Sequence, residues 1–194
     1  MPPKMKITKQ DIVQTALDLI RRDGTAAINA RNIASALGCS TQPVFSNFAS
    51  MEELQRAVTE AAHQAYFDFL KAEAESGQYP VYKAFGIGYI RFAYEEKELF
   101  KMLFMCDRQG EDPVEAEDFE MSVKLIMEAN GLSREQAKLM HLEMWVCVHG
   151  IATMLATSFF TPEWSLISQM ISDIYRGLRL KHLQEETDHG CHQN

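Results

Sequence analysis

The chain of 194 residues predicts an all-α protein of about nine helices. Three observations predict it. Apolar residues recur at helical spacing along its length, Ser, Thr or Asn stands before most of these stretches, and no alternating run is long enough for a strand. The architecture expected is an N-terminal three-helix bundle followed by a larger helical body. No internal repeat is present.

Thr8 caps the first helix, with Asp11 three residues later in capping-box style. Ile12, Ala16, Leu17 and Ile20 form its apolar stripe, and Gly24 ends it. Asn29 caps a second, short helix that buries Ile33 and Leu37. A tight turn through Gly38 and Cys39 leads to a third, capped by Ser40, with Pro43 in the first turn where its missing N–H costs nothing. Its inward side is expected to be Val44, Phe45 and Phe48. Two short helices joined by a glycine-containing turn, the second carrying small polar side chains outward, have the shape that fits a DNA major groove.

Ser50 and Glu53 form an S-x-x-E box opening a long fourth helix towards Gly77. Pro80 starts a fifth, carrying Phe85, Tyr89, Phe92 and Ala93. Leu99–Met105 reads as a short, very apolar sixth. Asp112–Pro113 begins a seventh, ending near Asn130–Gly131. Ser133 with Gln136 caps an eighth, through to about Phe160, and Thr161–Pro162 starts the ninth. The tail from Gln184 is polar and expected to fray. The domain boundaries expected are 1–50, 51–183 and the tail 184–194.

The net charge is −8, an unusual value for a nucleic-acid binder, but it is unevenly spread. Residues 1–56 carry seven Lys/Arg against five Asp/Glu, whereas residues 57–194 carry twelve against twenty-two. That asymmetry suits a DNA-facing N-terminus on an acidic body. The four cysteines, Cys39, Cys106, Cys147 and Cys191, lie far apart, as reduced thiols of a cytoplasmic protein do. Lys4, Lys6 and Lys9 interrupt any signal-like apolar run. The most apolar stretch, Met144–Ala156, is too short to span a bilayer, so no membrane partner is expected.

The eighth helix is apolar nearly all round in that stretch, and the ninth carries a regular stripe of Ile167, Met170, Ile171, Ile174, Tyr175 and Leu178. A small domain struggles to cover both. Pairing with a second copy as a four-helix bundle would bury them. Gly150 would permit the close approach, beside Met154. A homodimer is expected on these residues.

At this point the chain resembles the TetR family of transcriptional regulators. The resemblance is carried over residues 8–58 by Thr8, Ala16, Leu17, Gly24, Ile33–Ala34, Leu37–Gly38, Ser40, Val44, Phe48 and the Glu52–Glu53–Leu54 entry to the fourth helix. Trp145 followed by His149–Gly150 is similar to the W-x-x-x-H-G element of one family branch. Beyond residue 58 the likeness is architectural, an all-helical ligand-binding and dimerising body. The resemblance implies a one-component regulator, most simply a repressor released from a pseudo-palindromic operator by a small-molecule effector. It implies base-edge contacts from Thr41, Gln42 and Pro43, where Gln suits adenine N6/N7 and Thr or Pro a thymine methyl. Phe45 replaces a phosphate-binding Tyr, Asn47 stands where His is common, and Met51 replaces a Lys. The third helix therefore has no cation, and phosphate contacts fall to Lys4, Lys6, Lys9, Arg31, the side chains of Ser46 and Asn47, and the helix starts at Asn29 and Ser50. The alternative is a helical ligand-responsive or protein-binding module that has lost tight operator binding.

Tyr89, Phe92, Met102, Phe104, Met105 and Cys106 suit an adaptable apolar effector pocket and equally suit plain core packing. Trp145 and His149 could join such a pocket, although a lone His on an apolar helix is more often a satisfied core residue. An enzyme is not expected. Carboxylate-bridged metal bundles need two inward Glu-x-x-His motifs, and here Glu60/His63 has only Glu186/His189 in the polar tail as partner. His189–Gly190–Cys191–His192 offers no supporting shell for a metal. No phosphate-cradling loop, nucleophile elbow or dinucleotide fingerprint is present, so no catalytic residue and no cofactor is assigned.

Overall fold

The computed structural model describes residues 7–107, 117–161 and 163–190, with the backbone alone for 117–118 and 185–190. Among the described residues there are nine α-helices and no strand, so the protein is all-α. They are α1 (Lys9–Asp23), α2 (Ala30–Ala36), α3 (Gln42–Asn47), α4 (Met51–Glu75), α5 (Val81–Glu95), α6 (Lys97–Phe104), α7 (Glu117–Asn130), α8 (Arg134–Ala156) and α9 (Trp164–Gly190), with one 3-10 turn at Thr25–Ala27. The helix starts expected at Pro113 and Pro162 lie outside the described residues. The chain divides into two compact units.

The first unit is formed by Met1–Asp68 and Glu95–Cys106. Thr8 and Asp11 make the reciprocal capping box, each satisfying the other's backbone N–H. Gly24 ends α1 at φ 77°, a left-handed conformation that suits glycine. Asn29 caps α2 by accepting from the Asn32 N–H at 2.9 Å. α1 packs against α2, α3 and α6, burying Ile12, Ile20, Ile33, Val44, Phe48, Leu99 and Phe100. Arg21 fixes α1 to the start of α6, its Nε donating to both Glu96 carboxylate oxygens at 2.9 and 3.1 Å.

Two details of this unit depart from expectation. The N-cap of α3 is Thr41 with no side-chain hydrogen bond, so Ser40 stands one residue outside the helix and does not cap it. Phe45 is not part of the inward side, being 56% exposed. A six-residue helix can bury one stripe, and positions i and i+4, Val44 and Phe48, take it. Glu53 also differs in detail. Its backbone N–H donates to the Ser50 hydroxyl at 3.3 Å, but its own carboxylate accepts from the Ala49 N–H at 2.7 Å, one residue before the cap.

The second unit is formed by Phe69–Tyr94 and Asp107–Asn194. α8 packs on α7 and α9 around Phe119, Val123, Ile126, Leu132, Ala137 and Met140. The Ser133–Gln136 capping box forms as expected. α8 stops at Ala156 rather than near Phe160, because Ser158 takes a left-handed conformation at φ 57°. At Gly88 the end of α4 comes so close that an added Cβ would lie 3.1 Å from Leu70 Cα. α9 continues through Gly190, past the expected fraying point at Gln184; polar residues without Pro do not by themselves stop a helix. By length and composition α8 is apolar enough to cross a membrane, with a mean hydropathy of 1.3 over its best stretch, but α7 and α9 cover part of that surface.

Candidate nucleic-acid interface and effector pocket

In the first unit, burial of Val44 and Phe48 turns the rest of α3 outward. Gln42, Phe45 and Ser46 are exposed, as is Ser40 just before them, while Thr41 and Pro43 are half-buried. Ser46 Oγ donates to the Gln42 carbonyl at 2.8 Å, which leaves its lone pairs facing solvent. Asn47 Nδ2 donates to the Pro43 carbonyl at 2.8 Å and to that of Ile7 at 3.4 Å. Both its amide protons are thereby directed at backbone, so it holds the residues before α1 against α3 instead of offering a phosphate donor. Lys9 is likewise engaged, 3.0 Å from Glu53 and 5.0 Å above the Phe48 ring. Those bonds from Ala49 and Lys9 hold the Glu53 carboxyl below its usual range. Arg31 is exposed on α2 and has no ion pair among the described residues. Thr8 and Asn29 sit at their helix starts, exposed, and Lys6 lies outside the described residues.

In the second unit, three of the residues named for an effector pocket come together. Tyr89 hydroxyl is 2.8 Å from His149 Nδ1, and Trp145 stacks on the His149 ring at 5.4 Å between centroids. The spacing of Trp145 and His149, one helical turn, puts both on the α8 flank that meets α5. Phe92 is fully buried and packs edge-on against Phe69, a wall residue of the core. Met102, Met105 and Cys106 belong to the other unit, where Met105 and Cys106 are exposed.

A second pair that the sequence reading missed repeats the first. Tyr82 hydroxyl lies 3.0 Å from His141 Nδ1, so residues seven apart on α5 meet residues eight apart on α8 and the two helices run parallel. Burial raises the Tyr82 phenol well above its usual range, with the nearby Tyr175 adding to the effect, so this hydroxyl stays protonated. Nearby, Glu73 is buried against Arg91 at 2.7 Å, and Arg91 lies 4.8 Å from the Trp164 ring.

The residues named for a dimer face separate into two sets. Ile167 and Ile171 are buried within their own chain, whereas Tyr175 and Leu178 pack on the α7–α8 core and stay partly exposed. Gly150 is open, with nothing within 4 Å of an added Cβ, and Met154, Met170 and Ile174 are half-buried. The outward faces of α8 and α9 instead carry Leu139, Val146, Leu166 and Leu180, with Gly150 and Gly177 between them.

The first unit thus carries an exposed, anchored short helix after a glycine turn, and the second is all-helical among the described residues. Residues 82–171 match the family model described as the tetracycline repressor-like C-terminal domain. That match supports a TetR family regulator and extends the resemblance from the N-terminal residues into the body. No curated protein matches the chain.

Proposed function

We propose that the protein is a homodimeric, cytoplasmic, DNA-binding transcriptional repressor, released from a palindromic operator by a small-molecule effector. The observation that carries this is the outward face of α3, where Gln42, Phe45 and Ser46 project while Val44 and Phe48 root the helix in the bundle. Residues 1–50 serve as the DNA-binding domain and 51–183 as the effector and dimerisation domain. Two recognition helices about 34–36 Å apart enter successive major grooves. Thr41, Gln42 and Pro43 read bases, Phe45 contributes apolar contact to a thymine methyl, and Lys6, Thr8, Asn29, Arg31, Ser40 and Ser46 face the backbone.

The effector enters the second unit beside Tyr89, Trp145 and His149, whose ring stack and polar tips suit a ligand with a flat apolar body. α4 is one helix with residues in both units, and it transmits the effector's presence as a fall in DNA affinity, a coupling of about 1–3 kcal/mol.

The test is a gel shift of the purified chain on DNA from upstream of its own gene. Retardation that weakens roughly tenfold or more with Gln42→Ala, the size of one lost base contact, supports the reading. No retardation on that DNA by a folded dimer counts against it. The exposed Phe45 would then favour a protein-docking module.

A further inference from the structure

On the second unit, Lys83 projects from α5 onto one flank of α9. Its Nζ donates to Ser168 Oγ at 2.7 Å and to Ser172 Oγ at 2.9 Å, and it lies 4.6 Å from the centre of the Tyr79 ring. No carboxylate pairs with it among the described residues, although the chain carries 27 Asp and Glu. The two serines play different parts. Ser172 Oγ spends its proton on the Ser168 carbonyl at 2.9 Å, so it is fixed as an acceptor for the lysine. Ser168 Oγ accepts from Lys83, and its own proton has no acceptor among the described residues. Arg176, one turn beyond Ser172 on α9, has Asp173 as its ionic partner at 3.6 Å, and both side chains are exposed.

We infer that Lys83, Ser168 and Arg176 form a binding site for a small oxyanion, a carboxylate or phosphate group. An ammonium has three donors. Two are held by the serines, which orient the head, and the remaining positive charge meets an uncommitted hydroxyl proton and a nearby guanidinium. Charge-assisted hydrogen bonds from such donors are the strong kind. The Lys83 ammonium is disfavoured by partial burial and by the like charge of Arg176, which lower its pKa. A bound oxyanion would relieve both effects. The site is separate from the Tyr89–His149 pair and does not depend on the DNA-binding reading.

Thermal unfolding of the full chain, titrated with inorganic phosphate or with sodium acetate at constant ionic strength, tests this. One anion is expected to raise Tm by about 5 °C at a hundredfold excess over its Kd, and the stronger of the two identifies the oxyanion. Lys83→Met keeps the stem, removes the charge and should abolish the rise. Ser168→Ala keeps the lysine and should weaken binding about tenfold. The assignment is overturned if neither anion shifts the parent, or if Lys83→Met responds as the parent does. Should Lys83→Met fail to fold, Ser168→Ala decides: a response equal to the parent's would reduce the site to an ordinary surface lysine.

Discussion

Gly88 answers to the neighbouring helix rather than to backbone conformation, since an added Cβ would lie 3.1 Å from Leu70 Cα and 3.2 Å from the Phe69 carbonyl, and that backbone would have to give by a few tenths of an ångström. Packed helix backbone gives less readily than the end of a flexible side chain. Gly88→Ala is therefore expected to lower stability by about 1–3 kcal/mol, read as a lower midpoint in urea, even though alanine is the better helix former. Glu143 makes a different kind of local bond. Burial pushes its carboxyl up, but hydrogen bonds from Lys181 at 2.8 Å and from the fully buried His182 at 2.8 Å outweigh this and hold it below its usual 4.5. A carboxyl depressed on folding stabilises the fold above its unfolded pKa and loses that contribution as pH falls through the folded value. Glu143→Gln should thus lower Tm at pH 7, with the gap from the parent shrinking as pH falls from about 5 towards 3. A gap independent of pH would mean that the carboxylate charge contributes nothing there.

At the scale of the helix, α8 and α9 show what periodicity conveys and what it omits. The 3.6-residue stripe of α9 marks a buried face, yet Ile167 and Ile171 are buried within the same chain, and Tyr175 and Leu178 pack in part on its α7–α8 core. Spacing identifies the face and is silent about which chain covers it. The exposed apolar positions Leu139 and Val146 on α8, with Gly150 open beside them, are what a second copy would cover. Val146 is 64% exposed, so Val146→Asp should leave the folded subunit within about 0.5 kcal/mol of the parent. Across a two-fold axis the change occurs twice, and it should weaken a dimer about a hundredfold or more. Light scattering after size exclusion reads the mass directly, and an undisturbed dimer would move the interface elsewhere. α4 has its own test. Its 25 residues run without a break, and a Gly–Gly insertion near Asp68 should uncouple effector from operator while each still binds. Unchanged induction would exclude α4 as the link.

Over the whole molecule, the order of helices, the Thr8 and Ser133 capping boxes and the outward position of Gln42 were all legible, because each depends on residues within one or two turns of one another. Pairings across the fold were not. Lys83 meets Ser168 85 residues away and Tyr82 meets His141 59 residues away, and neither partner carries a local mark of the other. Phe45 shows the intermediate case, since an apolar residue in a helix too short for two buried faces reads as core until the burial of Val44 and Phe48 settles the matter. Charge is legible only as a total, and the structure shows which of the N-terminal cations are already paired. Of the N-terminal cations, Lys9 is tied to Glu53, Arg21 to Glu96 and Arg22 to Asp23, while α3 contributes none. Lys4, Lys6 and Arg31, with Lys9 when it exchanges its partner, would neutralise about six to eight phosphates per dimer, giving a slope of about −5 to −7 for log K against log salt. Fluorescence anisotropy with labelled operator DNA between 50 and 200 mM KCl, on the order of the range where this effect is read, measures it. A slope of about −9 or steeper would require cations beyond these and would place phosphate contacts outside the N-terminal bundle. A slope in the expected range, falling by about 2 per dimer in Arg31→Ala, would assign one phosphate on each half-site to α2.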